Sequence, residues 1–332
     1  MANRSPHAQR IERWLGPVLA EGIARNSRGF YWPIPVLWVP GGIQVYNGDY
    51  IGQISGGGFA SLSDLISERT SGGKGYVSRY SKTGVAAPAA GASQSLWGVG
   101  SVPAAGSNAA AAPGGTVFNN TSTGALDGIT TVSPDTRHFV TWWGVASVGN
   151  MALMLYDQLW GVNINHATTS NSITGVPTRY QTATEAPGNF LSGRVTTALG
   201  ATAHNITVTY VNQGGTSQTG SAQAVRVSSA VQTLPFAAGT WFYTLNAGDT
   251  GLRSVTSIAL SAASTGNVDW FIGHAIAIAP FVLANVVHIV DGINSAFNLE
   301  RIYDGACLTF LEYFKSATTA TTYNGEILHV YG

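Results

Sequence analysis

Residues 253–290 read RSVTSIALSAASTGNVDWFIGHAIAIAPFVLANVVHIV, and their alternation constrains this chain more than any other stretch. Val255, Ser257, Ala259 and Ser261 share one face of an extended chain and Ser254, Thr256, Ile258 and Leu260 the other, the period of two of a pleated strand. Ser264-Thr265-Gly266-Asn267 turns the chain. Beyond it Val268, Trp270, Ile272, His274, Ile276 and Ile278 alternate with their neighbours as far as Pro280, which cannot donate to a central ladder. The pattern predicts an antiparallel hairpin. Residues 271–290 are also apolar over roughly the 20 residues of a membrane span. They include His274, Pro280, Asn285 and His288 and are rich in β-branched side chains, so two buried strands are expected instead.

Charged residues make up 10% of the chain, against about 25% in an ordinary soluble domain. A free monomer uses charge to stay soluble and to blunt its sheet edges. With 16 basic and 16 acidic residues and a net charge of zero, this chain is expected to cover much of its surface with other subunits, as a homo-oligomer. No basic stripe follows residue 28, which argues against a nucleic-acid partner. Cys307 is the single cysteine, so no internal disulfide can form, and its run Ala306-Cys307-Leu308-Thr309-Phe310-Leu311 predicts a buried, inert thiol. The polar, basic N-terminus carries no secretory pattern.

Three regions follow one another. Residues 1–28 predict an amphipathic helical arm, with Ile11, Trp14, Leu15, Val18, Leu19 and Ile23 at helical spacing and Pro17 starting or kinking the helix. Such an arm can pack on its own domain, dock on a neighbouring subunit or lie on a membrane. Residues 29–136 predict an extended, loop-rich assembly region with a short helix at 61–69, where Leu62, Leu65 and Ile66 share a face and Gly72-Gly73 can end it. Within it, residues 84–136 are low in complexity, and VPAAGSNAAAAPGG at 102–115 is the extreme. That composition buries too little apolar area to offset its ordering entropy, so the segment is expected to be disordered or held by other chains, with Trp97, Val117 and Phe118 as anchors. Residues 137–332 predict a β-sandwich or jelly-roll domain. Strand-like runs at 138–147, 151–165, 194–211, 224–236 and 240–248 precede the hairpin, runs at 306–314 and 325–332 follow it, and brief helical character falls around 294–304. The fold class expected is therefore mainly β, an antiparallel sandwich or jelly roll with an N-terminal helical arm and long Gly/Ala-rich loops.

Signals of chemistry are sparse. The seven histidines show no short metal-ligand spacing, so no metal site and no cofactor are expected. Gly-x-Ser-x-Gly is absent, and Gly72-Gly73-Lys74-Gly75 lacks the Ser or Thr of a phosphate loop and reads as a hinge. His274 is expected to be a satisfied core or interface histidine. Asp157, inside the apolar run 151–162, either has a carboxyl raised by desolvation or is a strand-end aspartate that caps a turn or pairs with an arginine. No catalytic residue is assigned, and the chain is expected not to be an enzyme.

The stretch TWFYTLNAGDTGLRSVTSIALSAASTGNVDWFIGHAIAIAPF at 240–281, with RIYDGACLTFLEYF at 301–314, resembles structural proteins of tailed-bacteriophage virions. The resemblance covers about a third of the chain. It implies a β-sandwich module built into a particle, with an arm and loops that reach across neighbours. The role it implies is a virion protein that decorates or cements the capsid, in contact with copies of itself and with other virion proteins such as the major capsid protein, without nucleic-acid or membrane partners. A tail- or fibre-associated receptor- or carbohydrate-binding protein is the alternative, in which Trp142, Trp143, Trp160 and Trp241 would line one open groove for sugar rings.

Overall fold

The apolar runs form strands, and the Gly, Asn, Ser and Thr clusters part them. The structure, a computed structural model, describes residues 59, 61–85, 93–236, 240–293, 299–314 and 320–332. The N-terminal arm, with Ile11, Trp14, Leu15, Val18, Leu19 and Ile23, lies outside the described residues. The strands are β1 (Gly75–Thr83), β2 (Ser93–Ser95), β3 (Ser101–Val102), β4 (Thr116–Val117), β5 (Arg137–Ala146), β6 (Met151–Asn165), β7 (Ser170–Ser172), β8 (Asn189–Thr197) and β9 (His204–Asn212). They continue as β10 (Ser217–Thr219), β11 (Gln223–Val225), β12 (Leu252–Leu260), β13 (Asn267–Phe281), β14 (Val287–Asp291), β15 (Arg301–Ile302), β16 (Leu308–Phe314) and β17 (Thr322–Tyr331).

All pairings between these strands are antiparallel, and they build three sheets. The first runs β14-β5-β17-β1-β3, the second β10-β9-β12-β7 and the third β2-β16-β6-β13-β8. The chain is thus mainly β and antiparallel, in the layered arrangement of a sandwich or jelly roll. The third sheet is shared. Leu153 and Leu155 of β6 and Ile276, Ala279 and Phe281 of β13 pack with Phe139, Trp142, Tyr323 and Ile327 of the first sheet. Further along the same two strands, Trp160, Val162, Val268 and Trp270 pack with Ile206, Val208, Val255 and Ile258 of the second sheet. Strands of 15 residues reach about 50 Å, long enough for one pair to floor two cores in succession. Two bulges help them do so: β13 gains a residue at Ile276 and β6 gains one at Leu159, so the register slips and then recovers.

The arms of the expected hairpin do form strands, β12 and β13, but they do not pair with each other. β12 joins β9 and β7, whereas β13 joins β6 and β8, so the turn at 264–267 carries the chain from one layer to another. β13 also extends one residue past Pro280. β8 has ended opposite His274, so an open edge there accepts a residue without an N–H. The run at 194–211 is two strands broken at 198–203, and of the run at 224–236 only residues 224 and 225 lie in a strand, β11. Residues 240–248 form none, and 299–304 hold the short β15 rather than a helix.

The low-complexity stretch differs most from expectation. Residues 93–136 are ordered by their own chain. Trp97 and Phe118 are buried with Ala109 and Cys307, while Val117 is exposed. The Trp97 indole N–H donates to Ser107 O, the Trp160 indole N–H donates to Gly114 O, and Ala109 N–H donates to Asp269. Small residues make this possible, because a Cβ on Gly106 would lie 2.1 Å from the Trp97 ring. Near the N-terminal side of the first sheet, helix α1 (Leu62–Thr70) is capped by Ser61, whose side chain accepts from Asp64 N–H, and it buries Leu65 against Val140 and Val330. β1 pairs with β17 over nine residues, so the first sheet draws strands from both sides of residue 137.

Candidate assembly surface

The buried carboxylates Asp157, Asp269 and Glu312 are each engaged by buried partners. Asp157 receives both Arg179 Nε (2.9 Å) and Nη2 (2.7 Å) together with the Cys307 N–H (2.8 Å). The arginine-pairing expectation for Asp157 is the one realised. Cys307 is buried, and desolvation, with Asp157 beside it, pushes its thiol well above the usual range. His274 stacks on Tyr180 at 3.8 Å between ring centroids and contacts Asn189 and Glu300. Asp269 pairs with Arg194, and Glu312 bonds Gln94 and Tyr323. Lys74, in the glycine segment between α1 and β1, is held by Glu68 (3.3 Å) and Asp135 (3.0 Å).

The four tryptophans do not line an open groove. Trp142 and Trp160 are buried in the two separate cores, Trp241 is partly covered, and Trp143 is 39% exposed.

Trp143 instead belongs to a surface that residue spacing did not reveal. Among the described residues, β14 is the terminal strand of the first sheet and pairs on one side only, with β5. Contrary to the expectation of two buried strands over 271–290, β14 lies exposed at this edge: Val287 is 55% and Ile289 70% exposed. Sequence alternation could not separate the two cases, since one apolar letter serves a core and an open face alike. The preceding turn adds Val282, Leu283 and Val286, all exposed. It is shaped by Asn285, whose φ of 58° lies in the left-handed region that asparagine tolerates and whose N–H donates to Ala146 O. Gly149 lets the turn approach, because a Cβ there would lie 2.6 Å from Val282 O.

Register places Ile289 opposite Trp143, Trp143 opposite Glu326, and Glu326 opposite Arg79, one row across four strands. The row grades from apolar at the β14 edge to charged further in. Arg79 and Trp143 both bond Glu326, which leaves the indole face outward with its N–H satisfied. Residues 279–290, APFVLANVVHIV, contain no Asp, Glu, Lys or Arg. Six of the fifteen exposed large apolar side chains among the described residues fall between 282 and 293. Against pairing with another chain an edge strand usually carries charge, proline or a bulge; β14 has no lysine, proline or bulge, and its one charged residue, Asp291, stands at its end.

No family model and no curated protein matches the chain. Among solved structures, VP2 of infectious bursal disease virus in a subviral particle is similar at 11% identity over 77% of this chain and 80% of its own, with a TM-score of 0.16. T=1 particles derived from the same virus match at 9% identity over 77% and 78%, also with a TM-score of 0.16. These weak neighbours are viral capsid proteins, and TM-scores this low do not establish a shared fold.

Proposed function

We propose that this chain is a non-enzymatic structural subunit of a viral particle, joined to copies of itself through the β14 edge. The apolar edge carries the proposal: a strand that among the described residues leaves one row of backbone groups free, with a flanking Ile289–Trp143 face, is fitted to another β surface and poorly fitted to water. A second copy is the occupant that matches it. Two β14 strands related by a two-fold axis pair antiparallel and cover both apolar faces at once, and residues 279–290 present no like charges to repel across the axis. The charge content of 10% and net charge of zero agree with a chain whose surface is used by neighbours.

The resemblance at 240–281 and 301–314 supports the finer reading, a tailed-bacteriophage virion protein that decorates or cements the capsid. The engagement of Asp157, Asp269 and Glu312 by buried partners supports a non-catalytic role. The test is sedimentation velocity with negative-stain electron microscopy on the purified full-length chain. Symmetric assemblies of two or more copies are expected, and a monodisperse monomer throughout the micromolar range would refute the proposal.

A further inference from the structure

The backbone of β14 fixes how a second copy can add to it. Ser147, just past the end of β5, donates its N–H to Thr322 O of β17 (2.9 Å), whereas Ala146 O accepts the Asn285 N–H (2.8 Å) on the β14 side. Peptide groups alternate in direction along a strand, so Gly144 and Trp142 face β14 as Ala146 does. Opposite them stand His288 and Val290. These two residues direct their N–H and C=O groups to β5, and Val287 and Ile289 turn theirs to the outer edge, where among the described residues no strand pairs.

The same alternation sorts the side chains. Val287 and Ile289, both exposed, stand on the outer face beside Val145 and Trp143. Val290, buried, and His288, half-buried, stand on the inner face. There His288 meets the Phe281 ring edge-on at 5.2 Å between centroids, with its Nε2 3.2 Å from Leu283 O.

An incoming antiparallel strand exchanges hydrogen bonds only with residues whose backbone faces outward, so a two-fold axis passes through a residue of β14 and not between two. Side-chain matching selects among the residues. An axis at Ile289 sets Asp291 against Val287 of the second copy, and an axis at Val290 sets it against Ile289; either desolvates a carboxylate on an apolar neighbour. An axis at Val287 sets Ile289 against Asn285 of the turn, outside the strand. An axis at His288 sets Val287 against Ile289 twice and leaves Asp291 past the end of the paired segment.

We infer that two copies join through β14 with the two-fold axis at His288, so that Val287 of each copy lies opposite Ile289 of the other and the two His288 residues face each other. The inference rests on the β14 self-association proposed above and adds its register. In this register the Ile289–Trp143 rows of both copies lie on one continuous outer face.

Single cysteine substitutions read the register. Cys307, the chain's single cysteine, is fully buried and does not compete. At the axis the pair is of the non-hydrogen-bonded kind, with Cα atoms about 4.5 Å apart, inside the roughly 4.4–6.8 Å that a disulfide spans. Residues 287 and 289 meet their own counterparts only on the diagonal, at about 7–8 Å. His288→Cys, Val287→Cys and Ile289→Cys in the full-length protein are oxidised mildly and followed by non-reducing electrophoresis, with sedimentation velocity on the unmodified chain. His288→Cys is expected to form a covalent dimer about tenfold faster or more than either other variant alone. An equimolar mixture of Val287→Cys and Ile289→Cys, opposite each other at about 5.5 Å, is expected to cross-link faster than either by itself, and it keeps His288 in place should His288→Cys disturb the fold. Fastest cross-linking of Val287→Cys or of Ile289→Cys with itself overturns the register while leaving β14 as the contact. Assembly without a cross-link in any variant or in the mixture, or a chain that stays monomeric, overturns the β14 association as well.

Discussion

Replacing Ile289 by lysine tests the assembly surface where it is most open. Burying an isoleucine side chain stabilises by about 1.5–3 kcal/mol, and 70% of this residue faces solvent in the isolated chain. Full burial in a partner contact would therefore contribute about 1–2 kcal/mol per copy, and a two-fold interface counts it twice, about 2–4 kcal/mol. At about 1.4 kcal/mol per tenfold change, losing that contribution weakens association roughly 30- to 700-fold. The substitution Ile289→Lys also sets an ammonium on each strand, and their repulsion across the axis makes these factors lower bounds. The chain itself should be nearly indifferent, since exposed substitutions on a sheet edge usually change stability by less than about 0.5 kcal/mol. Sedimentation velocity over a concentration series would show the assembly replaced by monomer, with the melting temperature of the dissociated chain unchanged. Unaltered association in Ile289→Lys would refute β14 as the contact, and a large loss of monomer stability would show that the side chain serves the fold.

Two further outcomes concern the interior. Asp157→Asn leaves the Arg179 guanidinium buried without its carboxylate and should cost about 3–5 kcal/mol, or about 6–20 °C in melting temperature, by calorimetry; a loss below about 1 kcal/mol would mean that water or another acceptor reaches Arg179. The second is acid sensitivity. Arg137 can only donate, so His329 Nδ1 accepts from it (3.1 Å), and His329 Nε2–H then faces Ser78 Oγ (3.3 Å). Burial, with the Arg137 charge beside it, holds His329 down at about 3, and burial, with His204 alongside, holds His166 down at about 4. Both rings are neutral in the folded chain and protonate more readily when unfolded, so their stabilisation is complete above about pH 6.5 and is lost as pH falls below it, about 2 kcal/mol for each ring by pH 5. Burial raises Glu312 well above 4.5, so that group gains stability as pH falls through the same window, and melting curves of Glu312→Gln isolate the histidine loss. A melting temperature in that variant that stays level between pH 7 and pH 5 would refute the assignment.

What the sequence disclosed and what it hid divide along the range of the interactions. Alternation in 252–260 and 267–281 depends on a strand having two faces, a local property, and it located both strands. Their partners depend on residues far away: β13 pairs with β6 more than 100 positions earlier, so adjacency suggested a hairpin that the layers do not contain. The glycine- and alanine-rich stretch misled for the converse reason. By composition its few large side chains are too sparse to order it, yet Trp97 and Phe118 enter a site prepared by Cys307 and Asp269, and small residues between them allow the close approach. Asp157 showed only that a carboxylate stood in an apolar run; Arg179, which neutralises it, comes from an irregular segment 22 residues on. The β14 surface was hidden most completely. Val287 and Ile289 would read identically if another strand covered them, and they are exposed because the sheet ends there, at a pairing with Val145 and Trp143 over 140 residues away. The one local trace is the absence of charge over 279–290. In a monomer, an edge strand needs such charge as protection from other chains; in a subunit that is meant to meet its own copies, the same charge would oppose the contact, and its confinement to Asp291, the last residue of β14, is what turns a compositional oddity into a specific surface.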